Sequence, residues 1–543
     1  MIRRNRSLLL CSCLSLASLA SCESAIRMNT GGPVGLAERM TAAEESGYTR
    51  TMSYAEIVEF VDHLAQSPIA HRVSMGTSEE GRDIPALIIA NPPVRTPKDA
   101  FGSGKIRFFA FGGIHSGEAC GKEALLMLAR DLVANPYTED HLPISDNCVL
   151  IIAPLYNTDG NERVSPDNRR GQLGPSEGMG ERENVNGLDL NRDSMKLASA
   201  EGRSMARFLT EWDPHVVFDS HTTNGSYHQY TLTFEGPLNP SGPIEPLEYT
   251  RDEFLPGVSR LLELETGYKS FFYGNFDREL TKWGTYSHKP MFGGPYVGLR
   301  NRISILSEAY AYASFEDRVL STHAFARRCI LQAVADRDRI IDMLDRADRE
   351  TIEKGERAED EFGIAYEIAK LDEPVVIQSY ELAKPDPDRY GVRPIATENM
   401  VDYTVEHWGT FTPTRTITRP KGYLIPGSHP HIVSKLHEHG IRTTPIDQKT
   451  GFTVERFTVE RVTRSEREFQ DIREVRLETT VRGEWISVGE GWTFVSTAQP
   501  LGNLLVYLLE PESDDGLSRW DAIDPSLDDG DLFPVMRVLD TSD

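Results

Sequence analysis

The chain has 543 residues, of which 39% are hydrophobic and 26% charged, and its formal net charge is −25 at pH 7. That length and balance fit a globular protein of two domains. The acidity argues against nucleic acid or an anionic membrane surface as a partner, and no apolar run after residue 25 is long enough to span a bilayer.

Met1 to Arg6 carries three arginines, Leu8 to Ala20 is apolar, and Leu19-Ala20-Ser21-Cys22 resembles a bacterial lipoprotein processing box. Residues 1–21 therefore read as a removed signal, and Cys22 as a lipidated first residue. With about 0.8 kcal/mol per buried CH₂, its acyl chains would tether the protein to a membrane of the bacterial cell envelope, facing periplasm or exterior. A cleaved signal with a chance cysteine is the alternative. Losing the three arginines would take the charge to −28. Residues 22–48 are small and polar, a tether. Cys120, Cys148 and Cys329 then remain, an odd set at irregular spacing and no disulfide framework. Cys120 reads as a small buried residue rather than a metal ligand.

A catalytic unit is expected over 49–350. Ile57, Phe60, Val61 and Leu64 follow a helical period, and Ile84 to Ala90 reads as a strand. Residues 105–111 read as a buried strand that ends in Gly112-Gly113-Ile114-His115-Ser116-Gly117-Glu118. A helix from Glu118 to Val133 follows, packed through Leu125, Leu126, Leu128, Ala129 and Leu132. His115 then stands in the loop at a strand's end and Glu118 at a helix start, where an imidazole and a carboxylate can share one divalent ion.

Further candidates follow in order: Leu188-Asp189-Leu190-Asn191-Arg192-Asp193, then the apolar strand Val216-Val217-Phe218-Asp219-Ser220-His221, then Ile303-Ser304-Ile305-Leu306-Ser307-Glu308. Three strand ends that deliver His/Glu, His and Glu are what an open α/β sheet needs to build one site at its carboxyl edge. His215 and His228 compete with His221, but the first precedes the strand and the second lies beyond the turn. Glu316 to Leu344 reads as one closing helix, and Glu353 to Glu367 as a linker or frayed helix end within a linker at 351–373.

From 374 to 543 a mainly β domain is expected, with strands at Val375–Tyr380, Phe452–Val462, Val475–Val481 and Leu504–Leu509 and one helix at His431–Glu438. His429, His431, His437 and His439 read as surface or packing residues.

From about Tyr54 to Asp345 the chain resembles the metallocarboxypeptidase family, the relatives of carboxypeptidase A, and Gly76-Thr77-Ser78-Glu79-Glu80-Gly81-Arg82 adds to the match. The resemblance implies an α/β fold with an open, mostly parallel mixed sheet flanked by helices. It also implies one zinc per chain, held by His115, Glu118 and His221, with Glu308 as general base and acid. It places Asn191 and Arg192 on a substrate's terminal carboxylate and Arg169, with Arg170 as runner-up, on the oxyanion. The family's mobile tyrosine falls on Tyr286 or Tyr296. Gly117 departs from digestive members, which have an arginine there. The expected function is a lipid-anchored zinc peptidase acting on peptides near a free C-terminus. The alternatives are a zinc deacylase or amidase on an amino-acid or cell-wall amide, and a peptide-binding lipoprotein with a dead site. Oligomeric state is left open.

Overall fold

The computed structural model describes residues 35–383 and 395–542. The expected signal, Cys22 and the first part of the tether lie outside the described residues.

The first ten strands among the described residues are β1 (Ala70–Thr77), β2 (Asp83–Ile89), β3 (Ile106–Gly112), β4 (Cys148–Ala153), β5 (Val216–Thr223), β6 (Leu232–Glu235), β7 (Ser270–Phe272), β8 (Asn275–Phe276), β9 (Lys282–Gly284) and β10 (Ile303–Tyr310). Eight of them form one sheet in the order β1-β2-β4-β3-β5-β10-β6-β7. Its centre, β4-β3-β5-β10, is parallel throughout, while β1, β2 and β6 join antiparallel to their inner neighbours. Every residue of β3 and β4 is buried, which is why both read as unbroken apolar runs: a parallel strand at the middle of a sheet is covered on both faces.

One face is covered by the helices Tyr54–Leu64, Cys120–Ala134, Leu255–Thr266 and Phe315–Ala335, whose apolar sides share a core with Phe108, Leu150, Phe218 and Ile305. A capping box starts the first of these, Ser53 accepting from the Glu56 amide while Glu56 accepts from Ser53. The other face carries Phe109, Ile151 and Val217. They belong to a core that runs through the helix Ala200–Trp212 into Tyr423, Ile432 and Trp520 of the C-terminal β-rich part.

Three expectations change. The closing helix breaks at Asp336 into Phe315–Ala335 and Arg337–Arg357. The segment read as a linker holds the end of that second helix and a strand, Glu361–Ala369, paired antiparallel with Thr410–Thr418. Leu504–Leu509 is not a strand but part of a helix, Gly502–Leu509, buried at every position. A short wholly apolar run carries no period, so propensity could not separate the two conformations.

The C-terminal part is also stitched to the rest through a second sheet, in which Trp283 of β9 pairs with His407 of the strand Ile395–Trp408. A six-stranded antiparallel sheet, with the long hairpin Thr450–Arg464 and Val475–Val488, completes it. Cys120, Cys148 and Cys329 are free and buried. Among the described residues no helix is long and apolar enough to cross a membrane.

Candidate active site

The parallel strands β3, β5 and β10 end side by side, and the site sits on that edge. β3 stops at Gly112, and Gly113 turns the chain with φ of 67°, a left-handed conformation that costs a side chain dearly. His115 follows, and Glu118 precedes the helix Cys120–Ala134. On β5, Asp219 and His221 are two residues apart and so face the same way. Glu308 of β10 is directly in register with His221.

These placements bring His115, Glu118 and His221, all buried, close enough for one ligand atom of each to lie within 4.8 Å of the others. Both imidazoles present Nδ1 to the carboxylate: His115 Nδ1 is 3.1 Å from Glu118 Oε1, and His221 Nδ1 is 2.9 Å from Oε2. Their far nitrogens each meet another carboxylate. His115 Nε2 bonds Asp189 Oδ1 at 2.9 Å, and His221 Nε2 lies 2.9 Å from Asp219 Oδ2, an ion-pair approach without hydrogen-bond angles. Such outer carboxylates fix ring orientation and tautomer and raise ligand basicity. Burial alone would push the Glu118 pKa up, but His115, Arg169 and the His221 bond hold it well below the usual carboxylate range. Burial likewise works against a charged His221, and Asp219 and Glu118 overcome it and raise its pKa. Two imidazoles and a carboxylate, buried and oriented from behind, are a donor set that suits catalytic zinc.

Glu308 borders the group from β10. Burial, with Glu118 and Asp219 adding to it, pushes its pKa up to about 8, against the pull of His221 and Arg169, and its Oε2 has no hydrogen-bond partner. Three arginines line the same space. Arg169 donates to the Thr222 carbonyl at 3.1 Å and stands 2.8 Å from Glu118 Oε1, while Arg182 forks onto Asp189 Oδ2 at 3.0 and 2.7 Å. Arg192 lies over the Phe292 ring at 4.0 Å, and its contact with Asp189 Oδ2 is long, at 4.0 Å. Asn191 Oδ1 accepts from the Gly293 amide at 3.0 Å. All of these except Asp189 and Gly293, together with Tyr273 and Tyr286, line one cleft of about 260 Å³.

The other sequence candidates fall elsewhere. Tyr286 lines the cleft, packed against Phe292 and Tyr273, but Tyr296 does not. It is buried in the helix Gly293–Leu299 with its hydroxyl held by His439 and Arg300, so it cannot reach a substrate in this cleft. Arg170 is exposed and paired with Asp167. His215 sits at the other end of β5 as acceptor for the Arg107 amide, and burial lowers its pKa to about 3. His228 is enclosed by Tyr230, Tyr310 and Trp283. Cys120 Sγ is buried 3.1 Å from Thr222 Oγ1. Gly117 has no space for an arginine: a Cβ there would meet Gly180 O at 2.7 Å and Arg169 Cγ at 2.8 Å, so the Arg169 side chain already fills that volume.

Sequence reasoning missed Asp189, Asp219 and Arg182. Both aspartates stood inside quoted motifs, two residues before Asn191 and two before His221, and the pairing of a ligand histidine with a carboxylate was the signal that could have found them.

With two imidazoles and a carboxylate able to hold one zinc and Glu308 beside them, this edge of the sheet has the donor set and the acid–base group that metal-assisted hydrolysis needs. The zinc carboxypeptidase family matches residues 57–243, which include His115, Glu118, Asn191, Arg192 and His221. Carboxypeptidase 2 of Trichophyton rubrum is 23% identical over 514 residues, covering 88% of this chain and 85% of that protein. Carboxypeptidase D of Homo sapiens is 32% identical over 154 residues, 28% of this chain and 10% of its own length. Among solved structures, the metallo-carboxypeptidase from Burkholderia cenocepacia aligns with a TM-score of 0.39 at 15% identity, covering 52% of this chain and 69% of that one. The Pseudomonas aeruginosa metallo-carboxypeptidase in complex with (2-guanidinoethylmercapto)succinic acid aligns with 0.40 at 14%, covering 53% and 70%. Residues 57–243 thus match a zinc carboxypeptidase domain, and over most of its length the chain is similar to a curated carboxypeptidase.

Proposed function

We propose that the protein removes residues from the free C-terminus of peptides, using one zinc held by His115, Glu118 and His221. The observation that carries this reading is the shared cleft, in which Asn191 and Arg192 face the same space as the three ligands and Glu308. Zinc, when bound, supplies the Lewis acidity that makes water a nucleophile at neutral pH and polarises a carbonyl. The residues of the chain do the rest. Glu308 takes a proton from the attacking water and returns it to the leaving amine, a transfer that one carboxyl bordering the three ligands can make in both directions. Arg169 faces the carbonyl oxygen where negative charge develops. Arg192, without a close carboxylate of its own, takes the terminal carboxylate with Asn191 beside it, and Tyr286 closes that end. Mass spectrometry of matched peptides, one set free and one amidated at the C-terminus, tests the reading. Faster cutting of the free set is expected, and equal rates would shift the reading to an amidase or endopeptidase.

We further propose that Cys22 carries a lipid anchor, on the strength of the Leu19-Ala20-Ser21-Cys22 box alone. Cys22→Ser should move the protein from the membrane fraction to the soluble one. Unchanged partitioning would end that proposal.

A further inference from the structure

The chain between the strands Thr450–Arg464 and Val475–Val488 forms a small turn that reaches back across the molecule. Phe469 and Ile472 exchange both backbone hydrogen bonds, at 2.8 and 3.2 Å, and the two residues between them, Gln470 and Asp471, have φ of 54° and 59°. This is the arrangement of a type I′ turn, for which Asn-Gly or Asp-Gly is the usual choice because a Cβ is disfavoured at both positions. A glutamine held left-handed needs a reason, since backbone strain gathers where function requires a fixed geometry.

The reason stands at the cleft. Gln470 Oε1 accepts the backbone N–H of Asp189 at 2.7 Å, a contact across 281 residues of sequence. Asp189 is the residue whose Oδ1 holds His115 Nε2 and the Asn191 amide and whose Oδ2 holds Arg182. The turn is steadied from behind by Phe469, whose ring packs 6.2 Å from that of Trp520. Trp520 Nε1 donates to Asp515, and Asp515 accepts the Met291 amide in the loop that joins Tyr286 to Gly293. Two stretches of the C-terminal part, in contact through Phe469 and Trp520, thus touch both walls of the carboxylate-binding end.

We propose that the 469–472 turn is a component of the active site and that Gln470 is a positioning residue. Through the Asp189 amide it fixes at once the carboxylate that orients His115 and the Asn191–Arg192 pair that follows in the chain. It rests on the metal site proposed above.

The test uses the full chain and three variants. Gln470→Met keeps the reach of the side chain and removes the acceptor. Gln470→Gly removes the acceptor and relieves the left-handed strain, and Asp471→Gly relieves strain alone. Zinc affinity by chelator competition, melting temperature, and kcat and KM on a peptide with a free C-terminus are read for each. Loss of a group that orients a ligand typically weakens metal binding about 10- to 100-fold, and Gln470 acts one bond further out. Both Gln470 variants should therefore bind zinc about three- to tenfold more weakly and lose about five- to tenfold in kcat/KM. Gln470→Gly should do so while melting above Gln470→Met, which keeps the left-handed strain. Asp471→Gly should melt above the wild type but keep wild-type affinity and activity. A Gln470→Gly protein with wild-type zinc affinity and kcat/KM would overturn the proposal and leave the turn a connection only. A wild type that binds no zinc would overturn the metal site itself, and this proposal with it.

Discussion

At the His-Glu-His end of the cleft every side chain stands on, or a few residues beyond, a parallel strand of the eight-stranded sheet, whereas at the arginine end the side chains stand on loops. His115 and Glu118 follow β3, His221 is within β5 and Glu308 within β10, and the ladder of the sheet fixes their spacing. Asn191 and Arg192 lie in the short helical turn Leu190–Arg192, and Tyr286 in the loop after β9. Both of these are tied to the C-terminal part, by Gln470 on one side and by Asp514 and Asp515 on the other. On the proposed function the difference separates two tasks: a metal site tolerates little displacement and is placed on the stiffest element, while a clamp for a chain terminus can be placed on loops provided a second layer holds them.

The largest effects should come from the stiff end. His221→Ala leaves one imidazole and one carboxylate, too few to hold zinc against water, so elemental analysis of the purified variant should find it nearly metal-free. Wild-type metal content there would remove the site from this edge of the sheet. Glu308→Gln should keep its zinc, because the side chain's shape is unchanged and it is not a ligand, yet lower kcat by about 10² to 10⁴. A fully active Glu308→Gln enzyme would mean that the proton is carried elsewhere.

The same division decides what could be read from the chain alone. The stiff end was legible because each part is local: a strand shows as an apolar run, and the residue at its end is named by position, as with Phe108 to Phe111 before His115 and Ile303 to Leu306 before Glu308. The loop end was legible only where a motif marked it, at Asn191-Arg192. Tyr286 and Tyr296 could not be told apart, since what disqualifies Tyr296 is a hydrogen bond to His439, 143 residues away. Gln470 had no local mark at all. In the fold, the sheet's inner strands and the β-rich C-terminal sheets followed from composition and period. The Gly502–Leu509 helix did not, because burial on every side erases the period that would identify it.

A pH experiment sharpens the contrast at the join between the two ends. Glu235 is buried at the end of β6, its Oε2 bonded to Thr285 Oγ1, one residue before Tyr286, and its Oε1 to the Gly236 amide. Burial pushes its pKa up to about 7 from 4.5, with only partial relief from these bonds. The folded state thus prefers the protonated form. Its stability contribution is complete below pH 4.5 and is lost as pH rises through about 7. At 1.36 kcal/mol per unit, the loss is at most about 3 kcal/mol. Glu235→Gln can donate to Thr285 and accept from Gly236 without ionising. Urea titrations at pH 5 and pH 8 should show the wild type losing more stability between the two than the variant does. Identical pH dependence would remove Glu235 as the cause.

The smallest expected effect is the most selective, and it belongs to the loop end. Arg192→Ala removes a guanidinium that no ligand histidine touches, so zinc content and the proton transfers at Glu308 should survive. What is lost is a charge-assisted bond to a terminal carboxylate in a largely buried place, about 1.5 to 3 kcal/mol, which is roughly tenfold or more in kcat/KM. The loss should fall mainly on KM and only for peptides with a free C-terminus. An amidated peptide never offers that carboxylate, so its slow cleavage should be almost indifferent to the substitution. A comparison of kcat and KM for the two peptides in wild type and variant therefore isolates the clamp from the metal. If both peptides suffer equally, Arg192 supports the fold of the Leu190–Arg192 turn rather than the substrate, and the loop end loses its assigned task while the strand end keeps its own.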